Sequence, residues 1–316
     1  MTTLERLDAW KDSGAITPEQ HASLAGLVRN DRFSLYVEIH ALLYIGVVAM
    51  VGGFVLTFRD SLANLGHTLV LSLFAAFIGV SFYYCFTRGR PYSNDEVEQP
   101  SLVIDYVLYF GCLMFSGMLA YLEVQMAVFR GWETHLLLAS LVFGALAYRF
   151  DNRFVLSLAL STLAAYLGLT LDVFDAFDAV STHRLRFYAM GYGLLTAGLG
   201  YGLYRQDVKR HFLDVYLHVG ANAFLLATLS GVPDDTAGLL YLALLLPLAA
   251  ALIYLGVRFD RFAFVAYGTL YGYAGISASI LRALGSPTLS LFYLVVTGSL
   301  VVIALVVLAR RFARTS

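Results

Sequence analysis

Polar and apolar positions fall into two regimes along the chain. Through residue 37 they alternate at short range: Leu4, Leu7 and Trp10 recur at helical spacing, and Leu24, Leu27 and Val28 form a second apolar stripe. Between them Ser13-Gly14-Ala15-Ile16 reads as a turn and Thr17-Pro18-Glu19-Gln20 as a helix start. Thr17 is placed as the N-cap, Pro18 at the first helical position where a missing N–H costs nothing, and Gln20 closes a capping box. The pattern predicts a helical hairpin over residues 1–37, without the basic-then-apolar order of a signal peptide. From residue 38 the apolar positions close up into ten candidate spans, near 38–57, 67–87, 101–122, 135–149, 154–171, 187–204, 211–231, 236–256, 262–281 and 287–308. Most reach the roughly 20 residues that a helix needs to cross a bilayer. The fourth is short and reads as tilted or partly interfacial.

Composition agrees with that layout. The 316 residues are 59% hydrophobic and 14% charged, against about 25% charged in soluble domains. A secreted disulfide scaffold, a disordered chain and a nucleic-acid binder are excluded, the last also by a net charge of −1. The lipid bilayer is the partner that composition implies. Cys85 and Cys112 lie in separate apolar runs without a CxxC or Cys/His cluster. They read as core hydrophobes, with no metal site expected.

Placing the charges orients the spans. With the N-terminus inside, sixteen of the 21 Lys and Arg fall on the cytoplasmic side and five outside: Arg59, Arg130, Arg184, Arg186 and Arg282. That asymmetry follows the positive-inside rule, and an added or missing span would scramble it. The expectation is an all-α, polytopic bundle of about ten spans over 38–308. A cytoplasmic hairpin precedes it, a basic tail at 309–316 follows, and both termini are cytoplasmic.

The run LERLDAWKDSGAITPEQHASLAGL, followed by ALLYIGVVAMVGGFVL, resembles the predicted bacterial membrane proteins catalogued as domain-of-unknown-function family 2157. The shared pattern is a Leu-rich helix with Trp, a Gly-Ile/Leu turn, a Pro-Glu-Gln helix start and a Gly-rich span. It covers about 60 residues; beyond them only the many-helix layout agrees. The resemblance implies a bacterial inner-membrane protein and carries no catalytic residue with it.

Three inner turns share a chemistry: Arg149-Phe150-Asp151-Asn152-Arg153-Phe154, Arg258-Phe259-Asp260-Arg261-Phe262 and, more loosely, Arg205-Gln206-Asp207 with Lys209-Arg210-His211-Phe212. Residues 101–115 laid on 210–224 match at Asp105/Asp214, Leu108/Leu217, Gly111/Gly220 and Phe115/Phe224. The same offset of 109 carries Arg149 to Arg258 and Asp151 to Asp260. An offset of four helices relates copies of one orientation, so a parallel repeat, 101–205 and 210–316, is expected as an alternative to generic short turns.

Ionisable groups inside spans are costly and usually face a bundle interior or a wet cavity. Asp105 and Asp214 are placed about four residues past the inner ends of spans three and seven, roughly 6 Å deep. His211, Asp214 and His218 are spaced i, i+3, i+7, and Asn222 continues that face. The set reads as a proton relay or cation site; the plainer reading has Asp214 snorkelling or capping and His218 in one interhelical hydrogen bond. His218 has no histidine at matching depth to share a haem, and no cofactor is expected. Span nine holds Tyr267, Tyr271 and the GxxxG pair Gly268/Gly272, repeated as Gly198/Gly202 in span six. Tyr267 and Tyr271 wall a substrate cavity on one reading and pack tightly on the other. Asp172, Asp175 and Asp178 read as the solvated face of an outer amphipathic helix, and with Asp234 and Asp235 as a far weaker calcium candidate.

No Walker, HExxH or GxSxG motif occurs, which disfavours an ATP-driven pump or a soluble-domain enzyme. Three functions compete. One is a secondary transporter or small-solute channel of unknown substrate, using Asp105, Asp214 and His218. Another is a non-catalytic scaffold or regulatory subunit that docks a protein partner through residues 1–34. The least favoured is an intramembrane enzyme acting on lipid.

Overall fold

The computed structural model describes residues 3–28, 43, 45–50, 52–53, 66–97, 99–128, 131–170 and 179–315. Every regular element among them is helical. Two units separate, residues 1–61 and 62–316. The first holds α1 (Thr3–Asp12) and α2 (Pro18–Val28). The expected capping box is complete: Thr17 N–H donates to Gln20 Oε1 at 2.9 Å and Gln20 N–H to Thr17 Oγ1 at 3.2 Å. Gly14 makes the turn at φ +74°, and His21 bridges to Asp8 at 2.8 Å. Leu7 and Ala25 are buried, while Trp10 is exposed. Residues 43, 45–50 and 52–53 are helical; the rest of the first expected span lies outside the described residues.

Among its described residues the second unit is a bundle of nine long helices: α3 (His67–Arg88), α4 (Leu102–Met126), α5 (Trp132–Phe150), α6 (Arg153–Thr170), α7 (Ala179–Arg205), α8 (Leu213–Gly231), α9 (Gly238–Arg258), α10 (Phe262–Leu284) and α11 (Pro287–Thr315). They stand where spans two to ten are expected. Six are long and apolar enough to cross a membrane: α3, α4, α8 with the 3-10 turn before it, α9, α10 and α11. Helix α5 has 19 residues, longer than its sequence pattern indicated. Helix α6 is a shorter apolar helix, and α7 opens on the polar run His183-Arg184-Leu185-Arg186. Helix α11 takes in most of the expected basic tail.

Successive helices pair tightly, α3 with α4, α5 with α6, α7 with α8 and α9 with α10. One core joins α3 to α6 and α8 around Cys85, Leu108, Cys112, Phe143, Phe150 and Phe212; both cysteines are free and buried there. A second core joins α8 and α9 through Leu225, Tyr241, Leu245 and Leu252. Outside these cores large apolar side chains face outward, Leu239 at 84% and Leu195 at 75% exposed among them. Exposure on that scale over most helices fits a hydrocarbon solvent and not water. The chain is a multi-pass membrane protein in contact with lipid.

Glycine sets two of the close approaches. Gly193 of α7 and Gly220 of α8 meet backbone to backbone: a Cβ on either would stand 2.6 Å from the other's carbonyl oxygen. Gly268 lies against the Ala249 carbonyl of α9, so the Gly268/Gly272 pair serves the α9–α10 contact. Gly198 and Gly202 meet no neighbour among the described residues, and the α7–α8 contact is carried by Gly193 and Gly200 instead.

Candidate functional site

The loops expected on the inner side meet at one end of the bundle. The α5–α6 turn is its centre. Asp151 ends α5 at φ +58°, a left-handed conformation that Asp tolerates better than most residues. Its carboxylate is buried and accepts from Val97 N–H at 2.5 Å, Lys209 Nζ at 3.1 Å and His211 Nε2. Lys209 is itself 2% exposed. The neighbour Asn152 works in two directions: its Oδ1 accepts from Val155 N–H, capping α6, and its Nδ2 donates to Asp105 Oδ1, both at 2.8 Å. Arg149 reaches the Arg90 carbonyl, Arg153 pairs with Glu96, and Gln99 donates to the Phe150 carbonyl. Four chain segments are thereby tied at one corner.

A second corner lies at the α9–α10 turn. Asp260 is left-handed at φ +56°, and the next residue, Arg261, donates to Asp214 Oδ2 at 2.6 Å. Both side chains of that pair are partly open, 52% for Arg261 and 31% for Asp214. One turn deeper, His218 stacks on Phe264 with ring centroids 4.9 Å apart and meets Tyr267 edge-on at 5.6 Å. Its Nδ1 is buried with no hydrogen-bond partner among the described residues. Another turn on, Asn222 donates to the His218 carbonyl at 2.8 Å and accepts from the Tyr271 hydroxyl at 3.2 Å. Asp214, His218 and Asn222 thus form a polar track down α8, faced by Tyr267 and Tyr271 of α10.

The residues singled out by sequence therefore divide. Asp214, His218, Asn222, Tyr267 and Tyr271 come together; Asp105 and His211 belong to the first corner. His211 leaves the α8 face because residues 210–212 form a tighter 3-10 turn before the α-helix starts at Leu213. Lys209, Asn152 and Arg261 were not singled out as site residues. The signal for them was present in the shared turns, where each stands beside or near a left-handed Asp. Asp172, Asp175 and Asp178 lie outside the described residues.

At the opposite end Asp234 accepts from Ala237 N–H, Thr236 N–H and the Thr236 hydroxyl, and it pairs with Arg186 at 3.1 Å and His183 at 3.2 Å. The backbone N–H of Ala237, then the Thr236 donors, hold its carboxyl far below the usual range. Arg282 pairs with Asp235 and reaches the Asp234 carbonyl at 3.1 Å.

Residues 8–156 match the family described as Predicted membrane protein (DUF2157), the family that the N-terminal motif resembles. The match runs past the hairpin through α3, α4 and α5 and takes in Asp105, Asp151 and Asn152; the track on α8 and α10 lies beyond it. No curated protein matches the chain, and no solved structure does.

Proposed function

We propose that this membrane protein is a secondary transporter or small-solute channel in which His218 is the group that changes protonation. The observation that carries this reading is the buried Nδ1 of His218, without a partner among the described residues and set between the half-open Asp214–Arg261 pair and the Asn222–Tyr271 bond. A polar ring nitrogen kept inside an apolar bundle is costly unless it is used. Asp214 and Arg261 would form the inner mouth, and Tyr267 and Tyr271 the wall against which a small polar solute is held.

Ten spans with both termini in the cytoplasm of a bacterium, across its inner membrane, complete the proposal. The loops that meet at one bundle end carry nine Lys and Arg, against five expected on the outer side, which supports the alternation. We also propose the parallel repeat. Shifted by 109, α4, α5, α6 and α7 fall on α8, α9, α10 and α11 to within a few residues at most ends. The bond Asn152→Asp105 falls on Arg261→Asp214.

The test is proton flux into proteoliposomes holding a pH-sensitive dye, under an imposed potassium diffusion potential and with a mixture of amino acids, sugars and organic acids outside. Wild-type protein is expected to acidify the lumen faster than empty vesicles. His218→Gln and Asp214→Asn should each lower that rate tenfold or more, and Ala251→Phe on an exposed face should not. Equal rates in wild-type and empty vesicles, or in wild type and His218→Gln, would sink the reading.

One observation favours a second role beside it. The hairpin is capped at its turn and cross-linked by His21 and Asp8, yet leaves Trp10 half exposed, a form suited to docking a protein partner. A partner co-purifying in mild detergent should be lost on deleting residues 1–34; a lone protein in both preparations would count against docking.

A further inference from the structure

We propose that α6, α7 and α8 enclose a binding site for one membrane phospholipid, its acyl chain in an apolar cavity and its phosphate on Arg186. The inference requires α7 to cross the bilayer and is independent of transport. The cavity measures about 510 Å³. Small side chains open it: Ala164 and Gly168 of α6, Ala189 of α7, and Ala223 and Ala227 of α8.

The polar groups of its wall specify the occupant. The Tyr192 hydroxyl donates to the Leu160 carbonyl at 2.7 Å and Ser230 Oγ to the Ala227 carbonyl at 2.8 Å. Neither hydroxyl has a proton left to donate to a ligand oxygen. Arg186 also lines the cavity. Asp234 holds its Nη1 and the Tyr241 ring lies 5.4 Å beneath its guanidinium carbon, while its Nε is buried and donates to nothing among the described residues. A guanidinium oriented in this way, with an N–H unused, suits a phosphate oxygen. An apolar hole with a single anion donor fits an amphiphile whose head is a phosphate.

Depth agrees. Arg186 stands nineteen residue steps from Arg205 at the other end of α7, about 28 Å at 1.5 Å per residue. The hydrocarbon core is about 30 Å thick, so with Arg205 at one surface Arg186 lies at headgroup level on the other. The cavity then extends inward from it, as far as Tyr192 on α7, about 9 Å along the helix axis.

Native mass spectrometry of delipidated protein, titrated with dioleoylphosphatidylglycerol or with dioleoylglycerol, tests the site. Wild type should hold one phosphatidylglycerol at least tenfold more tightly than the phosphate-free lipid. Arg186→Gln should remove that preference and keep the weaker binding; Arg186→Gln with Asp234→Asn, which leaves no orphaned carboxylate, should behave alike. Ala223→Phe should weaken both lipids tenfold or more, and Ala251→Phe neither. Wild-type retention in Ala223→Phe, or an unchanged phosphate preference in both Arg186 variants, would overturn the proposal.

Discussion

The corners at Asp151 and Asp260 use the same local device and give it different weight. Each has an Asp in the left-handed region and, one residue on, a side chain that donates to an Asp in the first turn of a neighbouring helix. At Asp151 the carboxylate is 3% exposed and faces the buried Lys209. At Asp260 the turn is exposed, and the Arg261–Asp214 pair is half in solvent. Turn geometry is a local property of a few residues. Its energetic consequence depends on what the rest of the chain packs around it.

The sharpest way to break this comparison is the same substitution in both corners. Glycine keeps the left-handed turn without strain, so Asp151→Gly removes the buried carboxylate that Lys209, His211 and Val97 N–H share and leaves the turn in place. It should cost about 3–5 kcal/mol, read as a lowered midpoint in a reversible detergent-to-SDS unfolding titration. Asp260→Gly should change that midpoint by less than about 1 kcal/mol. Equal losses would mean that the turns are held by something other than burial.

Helix contacts extend the comparison. Gly220 faces the Gly193 backbone, whereas its counterpart at the 109-residue offset, Gly111, faces the side chains of Phe82 and Ser81. Gly220→Ala should cost about 1–3 kcal/mol because backbone must move. Gly111→Ala should cost less in the same titration, since Phe82 turns aside. Next in size is Asn152→Ala, which removes a helix cap and the bond to Asp105 together, about 1–2 kcal/mol. Arg261→Ala removes a screened pair and no cap, about 1 kcal/mol or less.

The smallest effect concerns pH at the far end. The Asp234 carboxyl is held far below its unfolded value, so its stabilisation is present above about pH 4. It is lost progressively as pH falls from the unfolded value towards the depressed folded one. The gap in thermal midpoint between wild type and Asp234→Asn should not shrink from pH 7 to pH 5; a gap that closes by pH 5 would contradict the hydrogen bonding around Asp234.

Helix positions were legible because an apolar run of about 20 residues has few other forms, and the capping box because Thr17 and Gln20 satisfy each other within one turn. Contacts were legible only where the chain stays regular. His211 was assigned to the face of Asp214 and His218 by helical spacing, and a 3-10 turn of three residues sent it to Asp151 instead. The partners Lys209 and Arg261 were hidden for a related reason. Sequence shows that a turn is basic, but which cation turns inward depends on a left-handed residue such as Lys209 at φ +45°. Gly198/Gly202 met the spacing rule for close packing and Gly193 with Gly200 met the neighbour, because spacing says nothing of which face is covered.

Helix α11 has none of its apolar stretch buried and joins the bundle chiefly through α10, by the bonds Tyr273–Thr297 at 2.9 Å and Ser277–Tyr293 at 3.2 Å. In assembly terms it is expected to be a late arrival, since an apolar helix of this length is stable in a bilayer by itself and can dock by side-chain hydroxyls afterwards. A chain severed between Gly285 and Ser286 should therefore yield two pieces that find each other in the membrane.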